Sequence, residues 1–375
     1  MVSLLEAKKQ IEEIFLQRED IIGVGINEDT QTLRIYINCE FTCNIDTIPK
    51  RISGFPVEVV PIPGFAPVYG GVPGYRTARY RPVPGGVSAS HMSVTAGTVG
   101  AVIRDKISGN KLFLSNNHVF ANTASTTNAR AHVGDYIVQP GVIDASGSYE
   151  DVVATLLAWV PFNDRKMNLV DAAIALPIDQ SIASQYILSN QNLDVIPIHG
   201  TSYTKTGKRV KKYSRTTDAD FGVVVDTNFS VAVDYEDGVT RNFTDQILME
   251  IKTEGGDSGS LLMDEGDNAV GLIFAGGVDN GGRFFGVANK IHNVLTMFGN
   301  GVDISDGWSV SNITDSKPVY TTDLPITISE QNLDIRPIGT SISLTSVALA
   351  GIGIMSAYAI WTGVTSPKGL NIRKG

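Results

Sequence analysis

From Val87 onward the apolar residues come in short runs broken by Gly, Asn and Asp: Val99-Gly100-Ala101-Val102-Ile103, Lys111-Leu112-Phe113-Leu114, Val152-Val153-Ala154-Thr155-Leu156-Leu157, Val223-Val224-Val225 and Ile247-Leu248-Met249-Glu250-Ile251. Runs of this length suit strands, and the breakers between them are turn residues. Their spacing suits paired antiparallel β-barrels. The 38 glycines among 375 residues and the scarcity of long helical periodicities point the same way, to a mainly β chain with many turns. A chain of this length can bury a sizeable core and is expected to hold two or three units. A net charge of −9 argues against a nucleic-acid binder, which needs a basic face to neutralise phosphates. The basic cluster Lys205, Lys208, Arg209, Lys211, Lys212 and Arg215 reads as a solvated loop beside a strand.

Within this framework Gly256-Asp257-Ser258-Gly259-Ser260 holds a serine between glycines, ahead of the apolar run Leu261-Leu262-Met263. That is how a tight turn presents a nucleophilic hydroxyl. Such a hydroxyl needs a base to take its proton and a third group to orient the base. His118 closes Leu112-Phe113-Leu114-Ser115-Asn116-Asn117-His118, an apolar strand running into a polar turn that can carry an imidazole to the edge of a cleft. Asp171 is a lone acid in Asn168-Leu169-Val170-Asp171-Ala172-Ala173-Ile174-Ala175-Leu176, where an ionised carboxylate is costly unless a cation or a donor meets it.

Along the chain the order is His118, Asp171, Ser258. In this the chain resembles the trypsin-like, chymotrypsin-fold serine peptidases, and it is most similar to bacterial and phage-type members through Ser115-Asn116-Asn117-His118-Val119, Val170-Asp171-Ala172-Ala173-Ile174-Ala175 and Gly256-Asp257-Ser258-Gly259-Ser260. Subtilisin-like and α/β-hydrolase enzymes place the same roles in other orders. The resemblance implies two six-stranded antiparallel β-barrels, with His118 and Asp171 from the first, Ser258 from the second and the cleft between them. It implies peptide-bond hydrolysis through an acyl-enzyme, with protein or peptide substrates and no metal or organic cofactor. The backbone N–H groups of Gly256 and Ser258 are expected to face the oxyanion. Ala269–Ala275 and Arg283–Ala288 resemble the strands that wall the family's specificity pocket, with Lys252 near its floor and Gly276 and Gly286 at its walls. Asp257, which in trypsin-like zymogens pairs with a freed amino terminus, is expected here to meet a built-in Arg or Lys. Two other readings share the fold: a self-processing peptidase acting on its own or a partner's linker, and a non-catalytic binding module.

The flanks read separately. Residues 1–61 are expected to form a small α/β domain, with an amphipathic helix over 3–18 and strands at 21–26, 32–37 and 57–60. Gly23 and Gly25 are not a nucleotide fingerprint, because the third glycine and the following helix are missing. Residues 62–86 are Pro/Gly-rich and read as a linker or wrapping arm. The peptidase-like domain is expected over 87–300 and a carboxy-terminal extension over 301–375. The amino terminus interleaves charge with apolar residues and shows no secretion signal, so the expected location is cytoplasmic. Cys39 and Cys43, the two cysteines, do not make a disulfide framework. Residues 344–364 are uncharged and long enough to cross a bilayer, so the extension is expected to be either a membrane anchor or β-structure packed on another chain.

Overall fold

The computed structural model describes residues 2–18, 20–38, 45–62, 73–145, 148–279, 282–299 and 302–303. Six strands pair in a closed antiparallel ring: Arg209–Ser214, Asp218–Asp234, Thr240–Glu250, Phe284–Lys290, Asn268–Val278 and Leu261–Asp264, the last returning to pair with Arg209–Ser214. Val210, Val224, Ile247, Met249, Ile251, Leu262, Val270, Ile273 and Ala288 form a buried cluster among these strands. This is the six-stranded barrel expected for the second half of the β region.

The first half differs at its edges. Ala101–Asp105, Lys111–Ser115, Ala173–Pro177, Val152–Trp159, Tyr136–Val138, Ser88–His91 and Gly97–Thr98 pair in that order, with Val302–Asp303 outside Ala101–Asp105, in an open path of eight strands. A separate three-stranded sheet of Val83–Gly85, Ala183–Leu188 and Val195–Ile196 accompanies it. Pro84 supplies no N–H, so Val83–Gly85 is suited to an edge and not to the middle of a ladder. Gly85 lets this sheet sit close: a Cβ there would lie 2.3 Å from Ile187 Cδ1 and 2.8 Å from Gly100 O.

The amino-terminal helix is Leu4–Phe15, started by a capping box in which Ser3 Oγ accepts from Glu6 N–H and the Glu6 carboxylate accepts from Ser3 N–H. Its apolar stripe, Leu4, Ala7 and Ile11, packs with Ile21, Val24, Leu33, Ile35 and Ile37 of strands Ile21–Asn27 and Thr32–Asn38. These strands share a sheet with the second barrel. The 17-residue strand Asp218–Asp234 pairs along one edge first with Arg209–Ser214 and then, at Ser230 and Val231, with Val24 and Gly23. Gly23 and Gly25 make that seam possible. A Cβ on Gly23 would stand 2.3 Å from the Phe229 ring, and one on Gly25 would stand 2.0 Å from Asp226 Oδ2. The helix adds a buried polar tie: Lys8 Nζ donates to Ser230 Oγ at 2.7 Å and pairs with Glu12 at 3.1 Å, while Ser230 Oγ donates to Glu12 Oε2 at 2.8 Å.

Within the Pro/Gly-rich stretch, Arg76 is fully buried. It donates to Asp218 Oδ1, Gly86 O, Leu188 O and Ser189 O, and so ties residues 73–86 to both halves of the β region. The basic cluster is not a solvated loop throughout, because part of it lies on strand Arg209–Ser214 beside acids: Lys212 and Arg215 are buried in ion pairs with Asp257 and Asp144, and Lys211 pairs with Asp267. Cys39, Cys43 and the extension beyond residue 303, including 344–364, lie outside the described residues. Among the described residues no helix is long and apolar enough to cross a membrane.

Candidate active site

Strand Lys111–Ser115 ends at Asn116, which caps the four-residue helix Asn117–Phe120 in an extended conformation, and the turn delivers His118. Asn116 and Asn117 are buried and hold the turn from beneath: Asn116 Nδ2 donates to Asp171 O at 2.7 Å, and Asn117 Nδ2 to Ala124 O at 2.9 Å and Val160 O at 2.7 Å. The polar residues flanking the histidine are therefore structural members of the site.

Asp171 precedes strand Ala173–Pro177 and has no exposed surface. His118 Nδ1 lies 2.6 Å from Asp171 Oδ2, and the His118 backbone N–H donates to Oδ1 at 3.2 Å. An ionised carboxylate only accepts, so Nδ1 carries the proton in this pair and Nε2 is left as the ring's acceptor. The second barrel holds the same aspartate. Asn289 accepts from Asp171 N–H at 3.0 Å and donates to Asp171 O at 3.2 Å, and the Tyr235 hydroxyl donates to Asp171 Oδ2 at 2.9 Å. Neither Tyr235 nor Asn289 stands out in the sequence. The one available signal for Asn289 was a lone amide closing the apolar run Phe284–Ala288, the same kind of signal that marks Asp171.

The turn bearing Ser258 needs both flanking glycines. Gly256 has φ +95° and Gly259 φ +93°. A Cβ on Gly256 would stand 2.5 Å from Thr216 Oγ1, and one on Gly259 would stand 2.1 Å from Ser115 Oγ and 2.3 Å from Thr98 O. The backbone N–H groups of Gly256 and Ser258 make no hydrogen bond among the described residues. Asp257, between them, is fully buried and meets the built-in cation expected from the sequence: Lys212 Nζ lies 2.9 Å from Oδ2. Thr216 and Thr217 N–H groups donate to Oδ1, both at 3.0 Å, and Glu254 N–H and Thr217 Oγ1 donate to Oδ2. Burial alone would raise the Asp257 pKa, but the Lys212 ammonium and these donors outweigh it and hold the carboxyl below its ordinary value.

His118 and Asp171 are thus joined directly, whereas Ser258 is brought alongside by a separate contact. Gly97 sits between them: a Cβ there would lie 2.5 Å from the Val119 methyls and 3.0 Å from Ser258 O. The adjacent Thr98 N–H donates to Ser258 O at 2.8 Å, and its hydroxyl donates to Gly256 O at 2.7 Å. Ser258 Oγ donates to Phe274 O at 3.4 Å and has no hydrogen bond to the His118 ring.

Gly276 and Gly286 face each other on paired strands. Thr253 lies over both, its side chain 2.7 Å from where either Cβ would be, and its buried hydroxyl has no hydrogen-bond partner among the described residues. Lys252 turns the other way. Its ammonium is 3.0 Å from Glu254 Oε1 and 5.4 Å from the Phe284 ring centre, and its side chain is 45% exposed. Just past the end of strand Thr240–Glu250, Thr253 is thus buried while Lys252 is exposed to solvent.

No family model matches the sequence, and no curated protein matches it. The solved structures that match include bacterial serine proteases. Thermobifida fusca Protease A is 17% identical with a TM-score of 0.42, over 59% of this chain and 97% of that one. A glutamic-acid-specific serine protease is 19% identical with a TM-score of 0.44, over 59% and 99%. Cellulomonas bogoriensis chymotrypsin is 16% identical with a TM-score of 0.41, over 58% and 96%.

Proposed function

We propose that this protein is a serine endopeptidase that cleaves peptide bonds through an acyl-enzyme on Ser258. The observation that carries this reading is the 2.6 Å contact between His118 and a fully buried Asp171, formed beside a glycine-flanked serine turn whose Gly256 and Ser258 N–H groups make no hydrogen bond among the described residues. Burying a carboxylate is expensive unless donors meet it, and here one of its donors is a base whose other nitrogen can accept a proton.

In the proposed reaction Ser258 turns from Phe274 O toward His118 Nε2 and attacks the scissile carbonyl carbon as Nε2 takes its proton. Asp171 holds the Nδ1–H tautomer and stabilises the imidazolium that forms. The oxyanion is received by the N–H groups of Gly256 and Ser258, which lie on a turn already set by two left-handed glycines and by the buried Asp257. His118 then gives the proton to the leaving amine. Water attacks the acyl-enzyme by the same steps in reverse, releasing the carboxylate product. The space over Gly276 and Gly286, narrowed by Thr253, receives the side chain preceding the cleaved bond.

Incubating purified protein with an unstructured protein substrate and with Ser258→Ala tests the reading. Cleavage by the wild type should fall by on the order of 10⁴ to 10⁶ in the variant, with its circular dichroism unchanged. Equal cleavage by both proteins would remove Ser258 from the mechanism.

A further inference from the structure

The Asp171 carboxylate has a third donor from a distant element. Strand Asp218–Asp234 ends at the turn 235–239, and Tyr235 at its start reaches Asp171 Oδ2 with its hydroxyl at 2.9 Å, on the oxygen that also meets His118 Nδ1. The Tyr235 ring meets the His118 ring edge-on with centroids 5.6 Å apart. It is also packed against Phe162 at 4.9 Å and lies under the Arg241 guanidinium at 5.2 Å. Arg241 is buried and fixed from two sides, donating to both carboxylate oxygens of Asp237 in the same turn and to Asp164 Oδ1 from the first half of the β region. The tyrosine is therefore held in place independently of the aspartate it contacts.

We propose that Tyr235 is a positioning residue for the His118–Asp171 pair. Its hydroxyl fixes the carboxylate rotamer that keeps Oδ2 on Nδ1 and withdraws part of the negative charge that would otherwise fall on the imidazole. Two donors on one oxygen share its charge, so the strength of the His118 contact depends on the tyrosine. Burial, followed by the neighbouring Asp171 charge, raises the phenol pKa well above its ordinary value, so the hydroxyl remains a donor wherever the enzyme works. The charged and titratable groups around the pair are His118 itself, Arg241 and Asp237 on the hairpin, and Asp164 across from it; the two acids are each paired with Arg241.

The inference rests on the peptidase reading, and its test separates the two. Tyr235→Phe keeps the ring and removes one oxygen. It should lower kcat by roughly tenfold, the scale of one lost hydrogen bond, with KM little changed. The acid limb of kcat/KM should move to higher pH, because Asp171 with one donor fewer stabilises the imidazolium more. A merely structural tyrosine would lower the melting temperature without moving that limb. NMR titration of the His118 ring in wild type and variant reads the same shift without turnover, so it stands even if the protein cleaves no peptide. Should Tyr235→Phe fail to fold, 3-fluorotyrosine at position 235, a more acidic donor of nearly the same shape, should move the His118 titration to lower pH. An unmoved titration in the folded variant, together with wild-type kcat, would overturn the proposal.

Discussion

Lys212 Nζ lies 2.9 Å from Asp257 Oδ2, and neither side chain has any exposed surface. The pair joins strand Arg209–Ser214 to the turn that bears Ser258. Removing one partner leaves the other charge buried without compensation, which costs about 3–5 kcal/mol. Lys212→Met is therefore expected to lower the melting temperature strongly and to slow modification of Ser258 even below that temperature, because Asp257 shapes the Gly256–Ser258 backbone. A variant that melts like wild type and reacts at the wild-type rate would show that the turn holds its shape unaided. The pH dependence has a definite sign. The native Asp257 pKa is depressed below the ordinary 3.8, so the pair's contribution is full above that value and is lost as pH falls through the depressed native value.

Asp226 carries the opposite sign. It is buried at the seam with the amino-terminal strands, accepting from Tyr36 O–H at 2.9 Å and Asn228 N–H at 2.7 Å. Burial, only partly offset by these donors, pushes its pKa from 3.8 up to about 6. Stability from this group is full below the unfolded value and is lost as pH rises through about 6, by roughly 3 kcal/mol. Asp226→Asn cannot ionise. Its melting temperature should therefore gain on wild type as pH is raised from 4 to 7, and a constant difference over that range would contradict the buried-acid account.

Thr253 should set the size of the side chain accepted beside the scissile bond. Thr253→Gly clears the space over Gly276 and Gly286, leaving the Met249 and Ile251 side chains nearest Gly286. In a peptide series varying only that residue, the ratio of kcat/KM for leucine over alanine should rise by on the order of 10-fold or more, the scale of an added methylene or two in an apolar pocket. An unchanged ratio would place the pocket elsewhere.

How much of this was legible in the chain depends on whether a residue's partner is local. The strand runs, the turn around Ser258 and the carrier of His118 are stated by neighbouring residues, and the order of three short motifs was enough to relate them. Gly23 and Gly25 show the limit. They carry no nucleotide signature, and their use is visible only beside Phe229 and Asp226, about two hundred residues away, where a side chain on either glycine would collide. Tyr235 was hidden for a related reason: an aromatic residue ahead of Glu236-Asp237-Gly238 is ordinary turn sequence, and nothing near it names Asp171 as its partner. In the basic cluster, position along the strand separates buried Lys212 from its neighbour Lys211, and composition alone could not. Lys252 and Thr253 lie just past the end of strand Thr240–Glu250, where no alternation pattern in the sequence marks which side chain turns inward.

The most direct measurement of the central claim, that His118 and Asp171 activate Ser258, is covalent labelling by an organofluorophosphonate followed by peptide mapping of the intact adduct. The account predicts one adduct per chain, on Ser258, absent in Ser258→Ala and formed on the order of 10⁴-fold more slowly in His118→Ala. Folded wild-type protein that takes up no label, or that carries it on another residue, would contradict it.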